Sequence, residues 1–189
     1  MKKLVIALGV SVLLGACAGS GMSNASSNAA TPMVGGAPMY PTKDIVDNAV
    51  NSKDHTTLVA AVKAADLVAT LKSPGPFTVF APTNASFAAL PAGTVDTLLK
   101  PENKATLTKV LTYHVVPGRM DSAALTSAIN AGGGKALLKT ASGGTLTATM
   151  SGGTVWVTDA KGGTAAVTIA NVYQSNGVIH VVNKVLLPG

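Results

Sequence analysis

Gly75-Pro76-Phe77-Thr78-Val79-Phe80-Ala81-Pro82-Thr83-Asn84 and Asn176-Gly177-Val178-Ile179-His180-Val181-Val182-Asn183-Lys184-Val185-Leu186-Leu187-Pro188 decide the fold of this 189-residue chain. Each is a run of β-branched and aromatic residues bounded by Gly and Pro. Such a run reads as a buried strand entering and leaving turns rather than as an active-site loop. Outward from the first, helical periodicity fills the N-terminal half. Leading back from the second, glycine pairs recur at hairpin spacing.

Between the two blocks lies Tyr113-His114-Val115-Val116-Pro117-Gly118. The three segments, in this order and spacing, resemble the first block, the Tyr-His segment and the second block of the fasciclin (FAS1) family. The resemblance covers residues 42–188. It implies an extracellular α+β module associated with adhesion, with no enzymatic activity and no cofactor. In FAS1 domains of animal matrix proteins the Tyr-His segment and an Asp-Ile pair before the second block are linked to integrin binding. By that resemblance Tyr113, His114, Asn171 and Val172 are the candidate interaction residues. At the second site an amide, Asn171, stands where the carboxylate would be, so recognition through a divalent cation loses its ligand; Arg-Gly-Asp is absent as well.

The address is read from the N-terminus. Lys2 and Lys3 precede an apolar stretch from Leu4 to Leu14 and then Gly15-Ala16-Cys17, the pattern of a secretory signal. The stretch falls short of the roughly 20 apolar residues that span a bilayer. Leu14-Gly15-Ala16-Cys17 resembles a bacterial lipobox, which implies a signal over residues 1–16 and a lipid on Cys17. Ala18, in place of the Asp associated with inner-membrane retention in Gram-negative bacteria, favours the outer membrane if the source is Gram-negative. Cys17 is the single cysteine, so no intramolecular disulfide forms and stability must come from the core. Residues 18–41 hold no charged side chain and are rich in Ala, Gly, Ser, Asn, Met and Pro. Segment 17–41 is therefore expected to be a flexible linker, and 42–188 the domain.

In the domain, Thr42 is the expected N-cap of a helix over 43–51, and a second helix runs from Thr56 to Ala65, with a turn at 68–71. Pro82-Thr83-Asn84 starts another, giving Asn84 a structural role. Residues 94–99, a helix opened by Pro101-Glu102, and 121–131 complete the helical half. Gly143-Gly144, Gly152-Gly153 and Gly162-Gly163 match two-residue hairpin turns. Between them Thr145, Thr147 and Thr149 alternate with Leu146, Ala148 and Met150, which gives one wet and one buried face. The expected architecture is a single FAS1-like α+β domain, an antiparallel β-sandwich packed with helices from the N-terminal half.

Composition excludes several chemistries. No Gly-x-Ser-x-Gly elbow accompanies His55, His114 and His180, which speaks against a hydrolase. No two histidines share helical spacing, and the eight carboxylates do not cluster near them, so no metal site is expected. The formal charge of +6 falls when Lys2 and Lys3 leave with the signal, and the lysines are scattered. Three Phe, three Tyr and one Trp are too few and too apolar in setting to stack on nucleic acid. His180, between Ile179 and Val181, reads as a structural imidazole held by a hydrogen bond, and His114 as a core histidine. The expected partners are extracellular matrix, surface polysaccharide or cell-surface proteins, with weak self-association and a membrane contact through the lipid. The rival expectation is a periplasm-facing lipoprotein that binds a small ligand or stabilises the envelope.

Overall fold

The computed structural model describes residues 31–189. The expected signal, Cys17 and residues 18–30 of the linker lie outside the described residues. The rest of that linker is a correction: Met33–Val34 (β1) and Ala37–Pro38 (β2) form a hairpin about Gly35-Gly36. Val34, Ala37 and Met39 enter the same apolar cluster as Ile45, Leu58 and Val79. The segment has no charge because part of it is core. The domain therefore starts near Thr31 rather than Thr42.

Seven short α-helices follow the hairpin, interrupted by two strands. Ile45–Ala49 (α1) is capped by Asp44, whose carboxylate accepts from Asp47 N–H at 2.7 Å, and not by Thr42. Thr56–Ala64 (α2) and Val68–Lys72 (α3) lead to strand Phe77–Pro82 (β3). Asn84–Ala88 (α4) opens on a capping box of Thr83 and Ser86. Thr94–Leu99 (α5), a 3-10 turn at Pro101–Asn103 and Lys104–Tyr113 (α6) run into strand Val115–Pro117 (β4). Ser122–Ala131 (α7) ends the helical part. Strands Lys135–Lys139 (β5), Thr145–Ser151 (β6), Thr154–Thr158 (β7), Thr164–Gln174 (β8) and Gly177–Val182 (β9) complete the chain.

The strands other than the hairpin form one seven-stranded sheet in the order β4-β3-β9-β8-β7-β6-β5. This corrects the expected antiparallel sandwich in two ways. The central pair, β3 and β9, is parallel, in register from Phe77↔Gly177 to Pro82↔Val182. Parallel strands are covered on both faces and read as continuous apolar runs, and the two opening blocks have that character. Second, the eleven-residue β8 bends at bulges between Val167 and Val172. It pairs β7 with its first residues and β9 with the remainder, so one curled sheet stands in place of two. A hydrogen bond from Ala141 N–H to the Val115 carbonyl, 2.7 Å, nearly joins the far edges into a barrel.

Two apolar clusters result. One lies between α1, α2, α6 and the β3–β9 centre; the other lies inside the curl, where α7 lays Leu125 and Ile129 on Leu138, Leu146, Ala148 and Val157. At the start of β9 the close approach requires Gly177: a Cβ there would collide with the Phe77 carbonyl and press on Ile45.

Candidate interaction surface

The Tyr-His segment is interior. Tyr113 is only 1 % exposed. Its hydroxyl donates to the Thr145 carbonyl at 2.8 Å and accepts from Ala160 N–H at 3.0 Å, tying α6 to the β6 and β7 ends. Its ring lies where a side chain on Gly144 would be, 2.5 Å from a Cβ built there. His114 faces the other way. Its Nδ1 donates to the Val110 carbonyl at 2.8 Å, and its Nε2 accepts from Leu186 N–H at 2.9 Å. These partners fix the neutral Nδ1–H tautomer. Burial pushes its pKa down to about 4, against a smaller upward pull from the Val110 carbonyl.

His180 sits at the centre of the sheet. Nε2 donates to the Met120 carbonyl at 2.8 Å, and the ring stacks on Phe80 with centroids 5.7 Å apart. Burial lowers its pKa. Beside it Thr78 Oγ1 donates to the Gly118 carbonyl and accepts from Met120 N–H, so β3 and β9 together hold the loop that follows β4. Asn84 makes three bonds: Oδ1 accepts from Thr57 N–H at 3.0 Å, while Nδ2 donates to the Lys53 carbonyl at 2.8 Å and to Thr56 Oγ1 at 3.0 Å. It pins the start of α4 to the start of α2. His55, with Nδ1 2.9 Å from Ser52 Oγ, is buried beneath it, and burial lowers its pKa too.

Asn171 occupies the β8 bulge with φ +59°, a conformation Asn adopts more readily than β-branched residues. Oδ1 accepts from Ser122 N–H and Nδ2 donates to Ser122 Oγ, both at 2.7 Å. Asp121 accepts from Ala124 N–H at 2.9 Å, so two of the free N–H groups at the start of α7 are satisfied from either side. That bond, first among several, holds the Asp121 carboxyl below its usual range. Val172 is fully buried.

The expected grouping of Tyr113, His114, Asn171 and Val172 as a contact surface is therefore corrected. The first two bind Thr145, Ala160, Val110 and Leu186, the last two belong to the α7 start and the core, and they share no partner. Of the four only Asn171 reaches the surface, partly. What the surface offers beside it is Tyr173, 40 % exposed, with its hydroxyl 3.3 Å from Asp121 Oδ2, and Arg119, which donates to the Gln174 carbonyl at 3.2 Å. Sequence reasoning passed over Tyr173. Its signal was the alternation Val172-Tyr173-Gln174, which turns Tyr173 outward when its neighbours are inward. Among the described residues no group of three or more His, Cys, Asp or Glu lies together as a metal site, and no helix is long and apolar enough to cross a membrane.

The fasciclin domain model matches residues 53–188. The chain belongs to the fasciclin (FAS1) family. Protein sll1483 of a Synechocystis strain is 50% identical over 145 residues, 76% of this chain and 73% of that protein. Immunogenic protein MPB70 of Mycobacterium bovis is 37% identical, over 74% of this chain and 66% of the relative. In three dimensions this FAS1 domain is similar to a FAS1 domain pair from the insect cell adhesion molecule Fasciclin I. The TM-score is 0.69 at 15% identity, over 77% of this chain and 51% of the pair. The chain thus spans about half of that structure. Relative to the family match, the β1–β2 hairpin and α1 are additional N-terminal structure.

Proposed function

We propose that this FAS1 domain is a non-enzymatic adhesion module, held to the cell envelope by lipid on Cys17 and displayed toward matrix, surface polysaccharide or neighbouring cells. The family match over residues 53–188 carries the reading. It is supported by the use of the interior: Tyr113, His114 and Asn84 spend their polar atoms on bonds that hold elements together, leaving none of these groups for chemistry on a substrate. Contact falls instead to the surface at the β8–α7 corner, around Tyr173, Arg119 and the rim of Asn171. Tyr is a residue type that interfaces favour, with an apolar ring and a polar tip.

Adhesion by such modules is weak per contact and strong in number. Beads coated densely with the chain should retain matrix or partner cells, while free monomer competes poorly. Retention no greater than with an unrelated basic protein, together with normal attachment after deletion of the gene, sinks the reading. For the anchor, Cys17→Ser should release the protein from membranes that otherwise keep it through a high-salt wash.

One feature favours the rival, a periplasm-facing lipoprotein for a small ligand. Between α1, α2, α3 and β3 lies an apolar pocket of about 80 Å³, lined by Val46, Leu58, Val62, Leu71, Phe77 and Leu111 among others. Apolar space without polar partners does not favour water. Protection of the protein from external protease in intact cells would favour this rival over surface adhesion.

A further inference from the structure

The seven-stranded sheet stops short of closing. Following the pairing around the sheet, β4 and β5 run antiparallel across the seam, joined at one end by Ala141 N–H and the Val115 carbonyl. Beyond that bond the two edges flank an open groove of about 940 Å³, lined by Val116, Pro117, Met120 and Ala128 and by all five residues of β5. Residues from both faces of β5 line it because the edge of the strand faces the groove.

The phase of the β5–β6 ladder says which backbone groups point there. Thr140 N–H donates to the Gly144 carbonyl at 2.9 Å, so Thr140 is turned toward β6. Antiparallel pairs alternate, and Leu138↔Leu146 and Ala136↔Ala148 are turned the same way. The N–H and C=O of Leu137 and Lys139 then point away from β6, as that of Ala141 visibly does. β4 offers less, because Pro117 carries no N–H. An incoming strand must pair with β5.

The side chains on that edge select its chemistry. Leu137 is 72 % exposed, between Lys135 and Lys139 on the same wet face. Among the described residues neither lysine joins an ion pair; the pairs involve Lys72, Lys100 and Lys104. Beyond Asp121 the sequence holds one carboxylate, Asp159. It is buried and taken up by the N–H groups of Lys161, Gly163 and Leu187. A second copy fits poorly. Antiparallel self-pairing about Leu137 would set each Lys135 against the other copy's Lys139, and like charges directly opposite repel.

We propose that the free edge of β5 takes an extended acidic segment of a partner protein as an eighth strand, with an apolar residue opposite Leu137 and carboxylates opposite Lys135 and Lys139. The intervening residues of that segment face Met120 and Ala128 and are apolar. Strand addition of this kind draws affinity from main-chain bonds and specificity from alternate side chains. The inference goes beyond the adhesion reading in naming a surface and a partner chemistry. Because it is measured on purified protein, its failure leaves the attachment results standing.

The probe is a labelled peptide, Ser-Glu-Val-Val-Val-Glu-Ser, against Ser-Lys-Val-Val-Val-Lys-Ser, titrated into the full chain by fluorescence anisotropy. Two exposed charge pairs should make the acidic peptide bind about tenfold tighter. Hydrogen exchange at Leu137 and Lys139 should slow on binding. Lys135→Glu with Lys139→Glu should reverse the preference. Leu137→Pro removes an N–H the sheet itself does not use, so binding should vanish while the melting temperature holds. Should that variant unfold, the charge reversal still decides. Equal binding of both peptides, protection confined to another segment, or binding indifferent to Leu137→Pro and matched by dextran sulfate would overturn the proposal. So would a dimer in which β5 pairs with itself.

Discussion

The β3–β9 centre and the β5–β7 wing belong to one sheet and obey different rules. All six residues of β9 and five of six in β3 are buried, whereas β5 and β7 alternate between covered and wetted positions. The centre has helices on one side and the curl of its own sheet on the other, so its side chains are apolar or tied to the backbone. Thr78 is bonded to both the Gly118 carbonyl and Met120 N–H, and His180 donates from Nε2 to the Met120 carbonyl while its Nδ1 has no hydrogen-bond partner. The blocks that mark the family are thus the ones with least contact with the outside. They report the fold; what the domain touches is written at the rims, in Tyr173, Arg119 and β5.

The largest effect expected from this contrast is at Phe80, which is fully buried against His180. Phe80→Ala should cost about 3–5 kcal/mol, against about 0.5 kcal/mol or less for Leu137→Ala on the wet face. Equal losses in urea titrations would erase the distinction between centre and wing.

Acid should act next, on the buried histidines. In His114 the folded pKa of about 4 lies below the ordinary histidine value, and His55 and His180 shift the same way. The unfolded chain then binds more protons, so stability is complete above about pH 6.5 and falls as pH drops toward 4. The slope should be about 1.4 kcal/mol per pH unit for each histidine still neutral in the fold. Unfolding midpoints measured from pH 7 to 4 test this. A flat profile means that the imidazoles are reached by solvent.

A smaller loss is expected at the boundary between the two regions. Asn171→Ala strains a left-handed residue and strips an N–H acceptor from α7, for about 1–2 kcal/mol, while Asn171→Asp keeps the acceptor and most of the stability. If thermal melts show Ala and Asp to be alike, the amide does not hold the helix start. The smallest change in stability, within about 0.5 kcal/mol, is expected for Tyr173→Ala. Its effect should appear in bead retention instead, and undiminished retention would move the contact surface away from this corner.

Much of this was legible in the chain. Helix starts with a side-chain cap and an apolar stripe, such as Thr83 with Phe87, are local decisions, and the glycine pairs mark the β5–β8 turns. The parallel pairing of β3 with β9 was not, because a continuous apolar run says that a strand is buried and nothing about which neighbour it takes. The hairpin at 33–38 was hidden for a related reason: Val34 and Met39, in an uncharged stretch, carry no period, and only their burial against Ile45 and Leu58 gives them a place. At the candidate surface the residue types were legible and their direction was not. Tyr113 and His114 look alike as neighbours on an exposed or a buried turn, and the end of α6 decides between these by sending both inward.

The parallel pair also sets the order of events in the life of the chain. β3 must wait for a partner about a hundred residues downstream, and closing a loop of that length precedes any reward from the contacts it brings. Since β9 is made about a hundred residues after β3, the first half of the domain emerges without the surface that completes its core. Folding of the domain is gated by the arrival of β9, and a chain cut short before Gly177 is left with β3 as an apolar edge open to any other unpaired strand.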